Sequence, residues 1–286
     1  MLLILKENSI IQSIMKPKET TNKEREDQPK GVNEILDEQI ATANHEYKRS
    51  DIRLFISSLS AGMEVGFSVF LIGILYSIFH GQIAQPYLHV LLAIAYPVGF
   101  IFVIIGRSEL FTEHTTLAIL PVLNGTASIK SLIQLWGVIL SGNLIGGYIF
   151  SGFLVTFGPA MGIIPVETFS HLAHSFVEIP LFVVLISSVV AGWLMGLLSW
   201  LVASSQETIS RIFMIILVTG IIGIAGLHHS IVGSIEVFTG MLVDSNIKVS
   251  DYLRFESIAI LGNAIGGVVF VGIIKFGQRQ NKVDTK

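Results

Sequence analysis

Cysteine is absent from the 286-residue chain. That excludes disulfides, thiol catalysis, cysteine-ligated zinc and iron–sulfur centres, and leaves the compartment open. Charge is also scarce: Asp, Glu, Lys and Arg make up 14% of the residues, against about 25% in an ordinary soluble domain. A formal net charge of −3 with no basic patch excludes nucleic acid as a partner. No His-x-x-x-His or Glu-x-x-His spacing links the glutamates and histidines of the interrupted spans described below. No metal, no cofactor and no enzyme activity is therefore expected.

What the chain has instead is apolar sequence, with hydrophobic residues at 51% and a mean hydropathy of +0.70. The charge is uneven. Residues 1–53 hold nine of the 18 basic residues and ten of the 21 acidic ones. The rest is long apolar runs, more than a soluble fold of this size can hide. The chain reads as a polytopic membrane protein. Residues 1–53 read as a partly disordered cytoplasmic tail, with one short helix near Val32–Ala43 and no apolar face large enough for the fold to need. The opening apolar run is broken at once by Lys6 and Glu7, too short for a signal-peptide core.

A helix needs about 20 apolar residues to cross the hydrocarbon. Six spans satisfy this, at roughly 54–79, 87–123, 131–157, 179–203, 212–243 and 252–275, so the channel domain is 54–275 and 276–286 is a second cytoplasmic tail. The second and fifth are too long and are interrupted by polar stretches, Arg107–His114 and His228–Glu236. Interrupted spans in corresponding halves point to a permeation or binding site. With the N-terminus inside, cytoplasmic segments carry 15 Lys and Arg and outside segments carry two, Lys248 and Arg254. Both termini are therefore expected in the cytoplasm of a multi-pass protein of the inner or plasma membrane.

An internal repeat organises the membrane part. Gly142-Asn143-x-Ile145-Gly146-Gly147-x-x-Phe150-x-Gly152 recurs as Gly262-Asn263-x-Ile265-Gly266-Gly267-x-x-Phe270-x-Gly272, offset by 120 residues throughout. Ala61-Gly62-x-x-x-Gly66 is matched by Ala191-Gly192-x-x-x-Gly196. The unit is three helices, an odd number, so the halves insert in opposite orientation. The glycines suit close helix packing in lipid. Asn143 and Asn263 are expected to hydrogen-bond to the neighbouring broken helix.

These residues resemble the formate/nitrite transporter family. Glu109-Leu110-Phe111-Thr112 is similar to the family's broken second helix, His229-Ser230-Ile-Val to the break of its fifth, and Gly262-Asn263-x-Ile-Gly-Gly to its sixth. Leu110-Phe-Thr-Glu-His-Thr and Val232-Gly-Ser-Ile-Glu236 look most like its YfdC-type branch. The resemblance implies an all-α, aquaporin-like protomer of six helices with broken second and fifth helices. It also implies a homopentamer in the bilayer, with one pore per protomer for small monovalent anions such as formate, nitrite or hydrosulfide. Two positions depart from the family pattern. His228 stands where Glu is common, and His171, with His174 nearby, stands where a basic Lys marks the pore entrance.

An anion at mid-membrane costs several kcal/mol. Half-helix amides, hydrogen-bond donors and protonation of the permeant all lower that cost. Thr112 can donate its hydroxyl. His229 titrates near neutral pH and can donate a hydrogen bond or a proton. His228 and Ser230 flank it on the pathway. Glu109 and Glu236 are expected to accept loop amides or to pair with Arg107. Leu110, Phe111 and Phe238 are candidates for dry constrictions. The alternative reading, an aquaporin-like channel for water or small neutral solutes, also fits the inverted repeat. Neither break contains Asn-Pro-Ala, however, and that reading gives His229 no task.

Overall fold

Backbone in lipid must pair within its own segment, so the apolar runs form helices and give way only where protein can supply hydrogen bonds. The computed structural model describes residues 29–279, and all regular structure among them is helical. The expectations for 1–28 and 280–286 lie outside the described residues. Helix α1 is Val32–Glu46 and α2 is Asp51–Phe79. The second span is α3 (Gln85–Ala95), α4 (Pro97–Gly106), α5 (Phe111–Leu117) and α6 (Ile119–Leu123). Then come α7 (Ile129–Ala160), the short α8 (Val166–Val177) and α9 (Leu181–Ser204). The fifth span is α10 (Thr208–Ile224) and α11 (Ser230–Val243). The last is α12 (Val249–Gly267), a π-helical turn at Val268–Ile273, and α13 (Ile274–Gly277).

Among the described residues, five stretches are long and apolar enough to cross a membrane: Asp51–Phe79, Gln85–Gly106, Ile129–Ala160, Leu181–Ser204 and Val249–Gly277. The expected fifth span is two shorter apolar helices set end to end. The expected polar breaks are longer than the real ones. Only 107–110 and 225–229 leave the helical path, so Thr112, His114 and Ser230–Glu236 are helical.

Both breaks begin alike. After α4, Arg107 takes a left-handed φ of 60° and the Ser108 amide reaches back to the Val103 carbonyl at 3.0 Å. After α10, Gly226 has φ 59° and the Leu227 amide reaches the Ile222 carbonyl at 3.0 Å. These are the helix-ending turns in which a left-handed residue lets the chain satisfy the last carbonyls.

Long packing runs along two pairs, α2 against α7 and α9 against α12. A Cβ at Gly62 would meet the Asn143 carbonyl oxygen at 2.1 Å, and one at Gly192 the Asn263 carbonyl oxygen at 2.2 Å. Only glycine permits these backbones to touch. Where Gly267 approaches α5, its carbonyl accepts the Thr116 hydroxyl at 2.9 Å, immediately before the expected sixth helix departs from α-helical pairing. At Pro97 the second span loses a donor. Ser68 bridges the gap, donating to the Tyr96 carbonyl at 2.6 Å and accepting the Gly99 amide at 2.9 Å.

Helix α1 corrects an expectation. It does bury an apolar face: Ile35, Leu36 and Ile40 pack with Leu120, Trp200 and Val271. Gln39 Nε2 donates to the Ser199 carbonyl at 3.1 Å, and Tyr47, just past the helix, donates to the Ala118 carbonyl at 2.7 Å.

Candidate functional site

The two asparagines of the repeat make the same three bonds. Asn143 Oδ1 accepts the Phe111 amide at 2.7 Å, while its Nδ2 donates to the carbonyls of Ser58 at 2.7 Å and Glu109 at 2.8 Å. Asn263 Oδ1 accepts the Ser230 amide at 2.8 Å, while its Nδ2 donates to Ser188 at 2.8 Å and His228 at 3.1 Å. Each asparagine therefore ties the start of a half-helix, the residue before the break's end, and the neighbouring long helix. These groups are buried, apart from the half-buried Glu109, and an unpaired backbone group there is costly.

This accounting corrects one expectation. Sequence reasoning offers the opening amides of both half-helices to an anion, but most of them are held by the scaffold. In α5, Phe111 N goes to Asn143, and the amides of Glu113 and His114 go to the Leu110 carbonyl. In α11, Ser230 N goes to Asn263, Val232 N to His229 Nδ1 at 3.3 Å, and Gly233 N to the His229 carbonyl. Among the described residues, only the equivalent amides of Thr112 and Ile231 in these first turns take no partner.

The heads of the two half-helices meet each other. Thr112 Oγ1 and His229 Nε2 lie 2.8 Å apart, and both residues are buried. Because Nδ1 of His229 accepts the Val232 amide, the neutral ring carries its proton on Nε2 and donates it to Thr112. The threonine hydroxyl then has its own proton left to give. Among the described residues that hydroxyl bonds no helix carbonyl. Phe100 meets the His229 ring edge-to-face at 5.1 Å, an apolar wall that sequence reasoning missed because it sits unmarked in an apolar run.

The remaining candidates separate. His228 points away from His229: its amide and Nδ1 both meet Ser187 Oγ, at 3.0 and 2.8 Å, and its ring contacts Phe176 and Phe255. Ser230 keeps a buried hydroxyl without a partner. Leu110 is buried in the first break, ahead of α5. Phe111 packs edge-on against Trp136. Phe238, expected at a constriction, instead packs on Tyr148 at 4.3 Å and beside Tyr252, because its place on α11 faces α7 and α12 rather than the breaks.

Glu109 is paired, but not with Arg107. Its carboxylate meets Arg49 Nη1 and His114 Nε2, each at 2.5 Å, and Arg49 also holds Glu46 at 2.6 Å. The left-handed turn leaves Arg107 exposed, so the cation comes from the segment between α1 and α2.

His171 and His174 line a cleft of about 660 Å³ with Glu167, Ser170, Ser175 and Glu178, at the end of the bundle that carries α8. His174 bonds Glu178 at 2.9 Å and Asp244 at 3.1 Å. The Asp244 carboxylate holds its imidazole above the ordinary histidine range. The Ser170 hydroxyl first, then the Asn246 amide and His174, hold Asp244 well below the usual carboxylate range. His171 stacks with Tyr76 at 5.1 Å.

Residues 33–277 match the family model described as formate/nitrite transporter. The chain is 29% identical over 251 residues to the inner membrane protein YfdC of Escherichia coli (strain K12), an alignment covering 84% of this chain and 76% of that protein. It is 28% identical over 233 residues to the nitrite transporter NirC of Salmonella typhimurium, covering 77% and 80%. A solved FNT family ion channel superimposes with a TM-score of 0.76 at 21% identity, covering 86% of this chain and 99% of that one. A pentameric formate channel with formate bound gives 0.67 at 19% identity, covering 79% and 96%. At those identities the superpositions speak for the fold. The family model spans nearly every described residue, and the chain belongs to the formate/nitrite transporter family.

Proposed function

We propose that this protein conducts small monovalent weak-acid anions, of the formate, nitrite or hydrosulfide class, through a passage that runs between the two breaks. The observation that carries the reading is the Thr112–His229 pair, with one unpartnered amide in the first turn of each half-helix. A desolvated monoanion needs donors, not positive lysines, if it is to leave again. The site offers the Thr112 hydroxyl and the amides of Thr112 and Ile231, backed by the His229 ring. Leu110 and Phe100 keep water out of that station. Charge-assisted hydrogen bonds of this kind are each worth about 1.5–3 kcal/mol.

His229 can also protonate the permeant, under a condition set by its own bonds. The neutral ring has its lone pair on Nδ1, occupied by the Val232 amide. To become a proton donor it must first take a proton there and release Val232. The imidazolium then gives its Nε2 proton to Thr112 Oγ1 as the threonine gives its own to the anion. A neutral acid leaves and the ring is left as the Nδ1–H tautomer; loss of the Nδ1 proton and return of one to Nε2 restore the starting tautomer and the Val232 bond. His171 and His174 form the entrance at the α8 end, which on the Lys and Arg count is the outer face. The same count places both termini in the cytoplasm. Paired, the interrupted fifth span and the five long helices make six crossings in two inverted halves. The named inner membrane relative and the pentameric formate channel support a homopentamer in the inner membrane.

Proteoliposomes loaded with formate, nitrite, hydrosulfide, acetate or nitrate, assayed at two pH values, test this. Flux of small monoanions that rises as the pH is lowered is the expected result. Water flux without anion flux would replace the reading with a neutral-solute channel. In His229→Asn, which keeps a donor but cannot titrate, anion current persists and the pH dependence of net flux is lost.

A further inference from the structure

Glu256 is 4% exposed, and both its carboxyl oxygens are buried without a hydrogen-bond partner among the described residues. An ionisable group inside a membrane helix is costly and is kept where it serves a pathway. Several titratable groups sit on the elements packed against α12: Glu236 on α11, Glu167, His171 and His174 on α8 with Glu178 just beyond it, Glu113 and His114 on α5, and Tyr148 on α7. Helix α9 brings none. None of these groups pairs with the Glu256 carboxyl. It is not half of a structural ion pair.

Its neighbours on the helix are polar. Tyr252, Glu256 and Asn263 fall on one stripe of α12, with Glu256 about 6 Å along the axis from Tyr252 and about 10 Å from Asn263. The Tyr252 hydroxyl meets Tyr148 at 2.5 Å and Ser234 at 2.7 Å. Ser234 is one turn along α11 from Ser230, whose hydroxyl is buried and unpartnered and whose amide is held by Asn263. Hydrogen-bonded hydroxyls thus lead from the half-buried Tyr148 of α7 through Tyr252 to Ser234, one turn of α11 from the second break. Phe238 packs against both tyrosine rings.

We propose that Glu256 is a proton-binding carboxyl, loaded through the Tyr148–Tyr252–Ser234 hydroxyls and discharged through Ser230 to the break. The inference rests on the anion reading above and names where the proton comes from. In loading, each hydroxyl accepts one proton and releases its own to the next oxygen, and the Glu256 carboxylate becomes the acid. A side-chain rotation or one bridging water spans the gap to the carboxyl. In discharge, the acid gives its proton by way of Ser230 to the His229 ring. From there it reaches the anion, which leaves as the neutral acid while Glu256 returns to carboxylate. One O–H or N–H bond forms for each that breaks, and no redox partner is needed.

The test uses the full chain in liposomes, with formate as the probe and a pH-sensitive dye inside. Glu256→Gln keeps the shape of the side chain and cannot titrate, and Tyr252→Phe keeps the ring and breaks the hydroxyl chain. In both, the number of protons moved per formate falls to the background of empty liposomes. An unchanged proton-to-formate ratio in Glu256→Gln overturns the proposal. Infrared difference spectra against pH give a second reading that needs no transport. The wild type shows a protonated-carboxyl band that Glu256→Gln lacks, and identical spectra for the two also overturn it. Wild-type protein that moves no anion, yet shows the band, refutes the anion reading and leaves Glu256 as a proton site.

Discussion

Thr112 on α5 and His229 at the head of α11 meet at 2.8 Å, so one hydrogen bond joins the two half-helices that start from opposite breaks. The contact is directional. With His229 Nδ1 engaged by Val232, Nε2–H donates, and the Thr112 hydroxyl is turned into a donor for something else. Around it the scaffold is redundant: two glycines that accept a neighbour's carbonyl at Cβ range, two asparagines that each tie three backbone groups, and two left-handed helix ends.

Removing either asparagine leaves buried backbone groups unpaired. Asn143→Ala strands the Phe111 amide and two carbonyls, and Asn263→Ala strands the Ser230 amide and two carbonyls. At about 1–3 kcal/mol for an unsatisfied buried group, each variant melts well below the wild type in detergent, and by similar amounts. A melting temperature unchanged in either would mean that its break is held by other contacts.

Arg107 occupies a left-handed position that its counterpart in the other break gives to Gly226. The conformation costs a non-glycine residue about 1–2 kcal/mol. Arg107→Gly relieves that strain, and the extra chain entropy that glycine loses on folding offsets part of the gain, so thermal stability is expected to rise by about 1 kcal/mol or less. Destabilisation on thermal unfolding would show that the arginine side chain holds the turn.

Helix α1 docks through Leu36, which is fully buried among Ile35, Ile40, Leu120, Trp200 and Val271. Leu36→Ala should weaken docking by about 2–5 kcal/mol. Hydrogen exchange along 32–46 rises in the variant while exchange in α7 and α12 stays slow. Unchanged protection of 32–46 would mean that the Gln39, Tyr47 and Arg49 contacts hold the helix alone.

The His174–Asp244 pair carries a pH signature with a definite sign. Because the histidine is raised in the folded chain, its contribution is fully present below the unfolded value of about 6.5 and is lost as pH rises through the higher folded value. Asp244 is lowered, so its contribution is present above about 3.9 and is lost as pH falls through the depressed folded value. The two overlap in mildly acidic solution. Melting temperature measured against pH therefore falls above about pH 6.5 in the wild type, and His174→Gln flattens that limb. Equal slopes in both proteins would place the pH sensitivity elsewhere.

The repeat of Gly-Asn and small residues was legible because polar or small side chains stand out in apolar sequence, and it marked the helices that pack beside the breaks, while polar stretches inside two over-long spans marked the breaks themselves. Thr112 and His229 stood out in sequence as polar residues within those stretches. Their contact spans a sequence separation of 117 residues and depends on how two half-helices meet, which no local pattern encodes. The true start of each half-helix at Phe111 and Ser230 was hidden because its capping oxygen comes from Asn143 or Asn263, more than thirty residues away. The partner of Glu109 was misread for a related reason: Arg107 is nearby in sequence, whereas Arg49 arrives from 60 residues off. Phe100 and Glu256 carried no signal beyond their residue type, and only burial and neighbours single them out.

The most direct test of the account is formate flux into proteoliposomes by wild type and Thr112→Val. Valine keeps the shape and removes the hydroxyl that, in the proposed reading, His229 leaves free to donate to the permeant. With about 1.5–3 kcal/mol lost from a hydrogen bond to a charged group, flux per assembled protein falls about tenfold or more, while detergent-solubilised protein keeps its oligomeric size. Wild-type flux in Thr112→Val would contradict the account, assigning the Thr112 hydroxyl to the scaffold and leaving the anion to find its donors elsewhere.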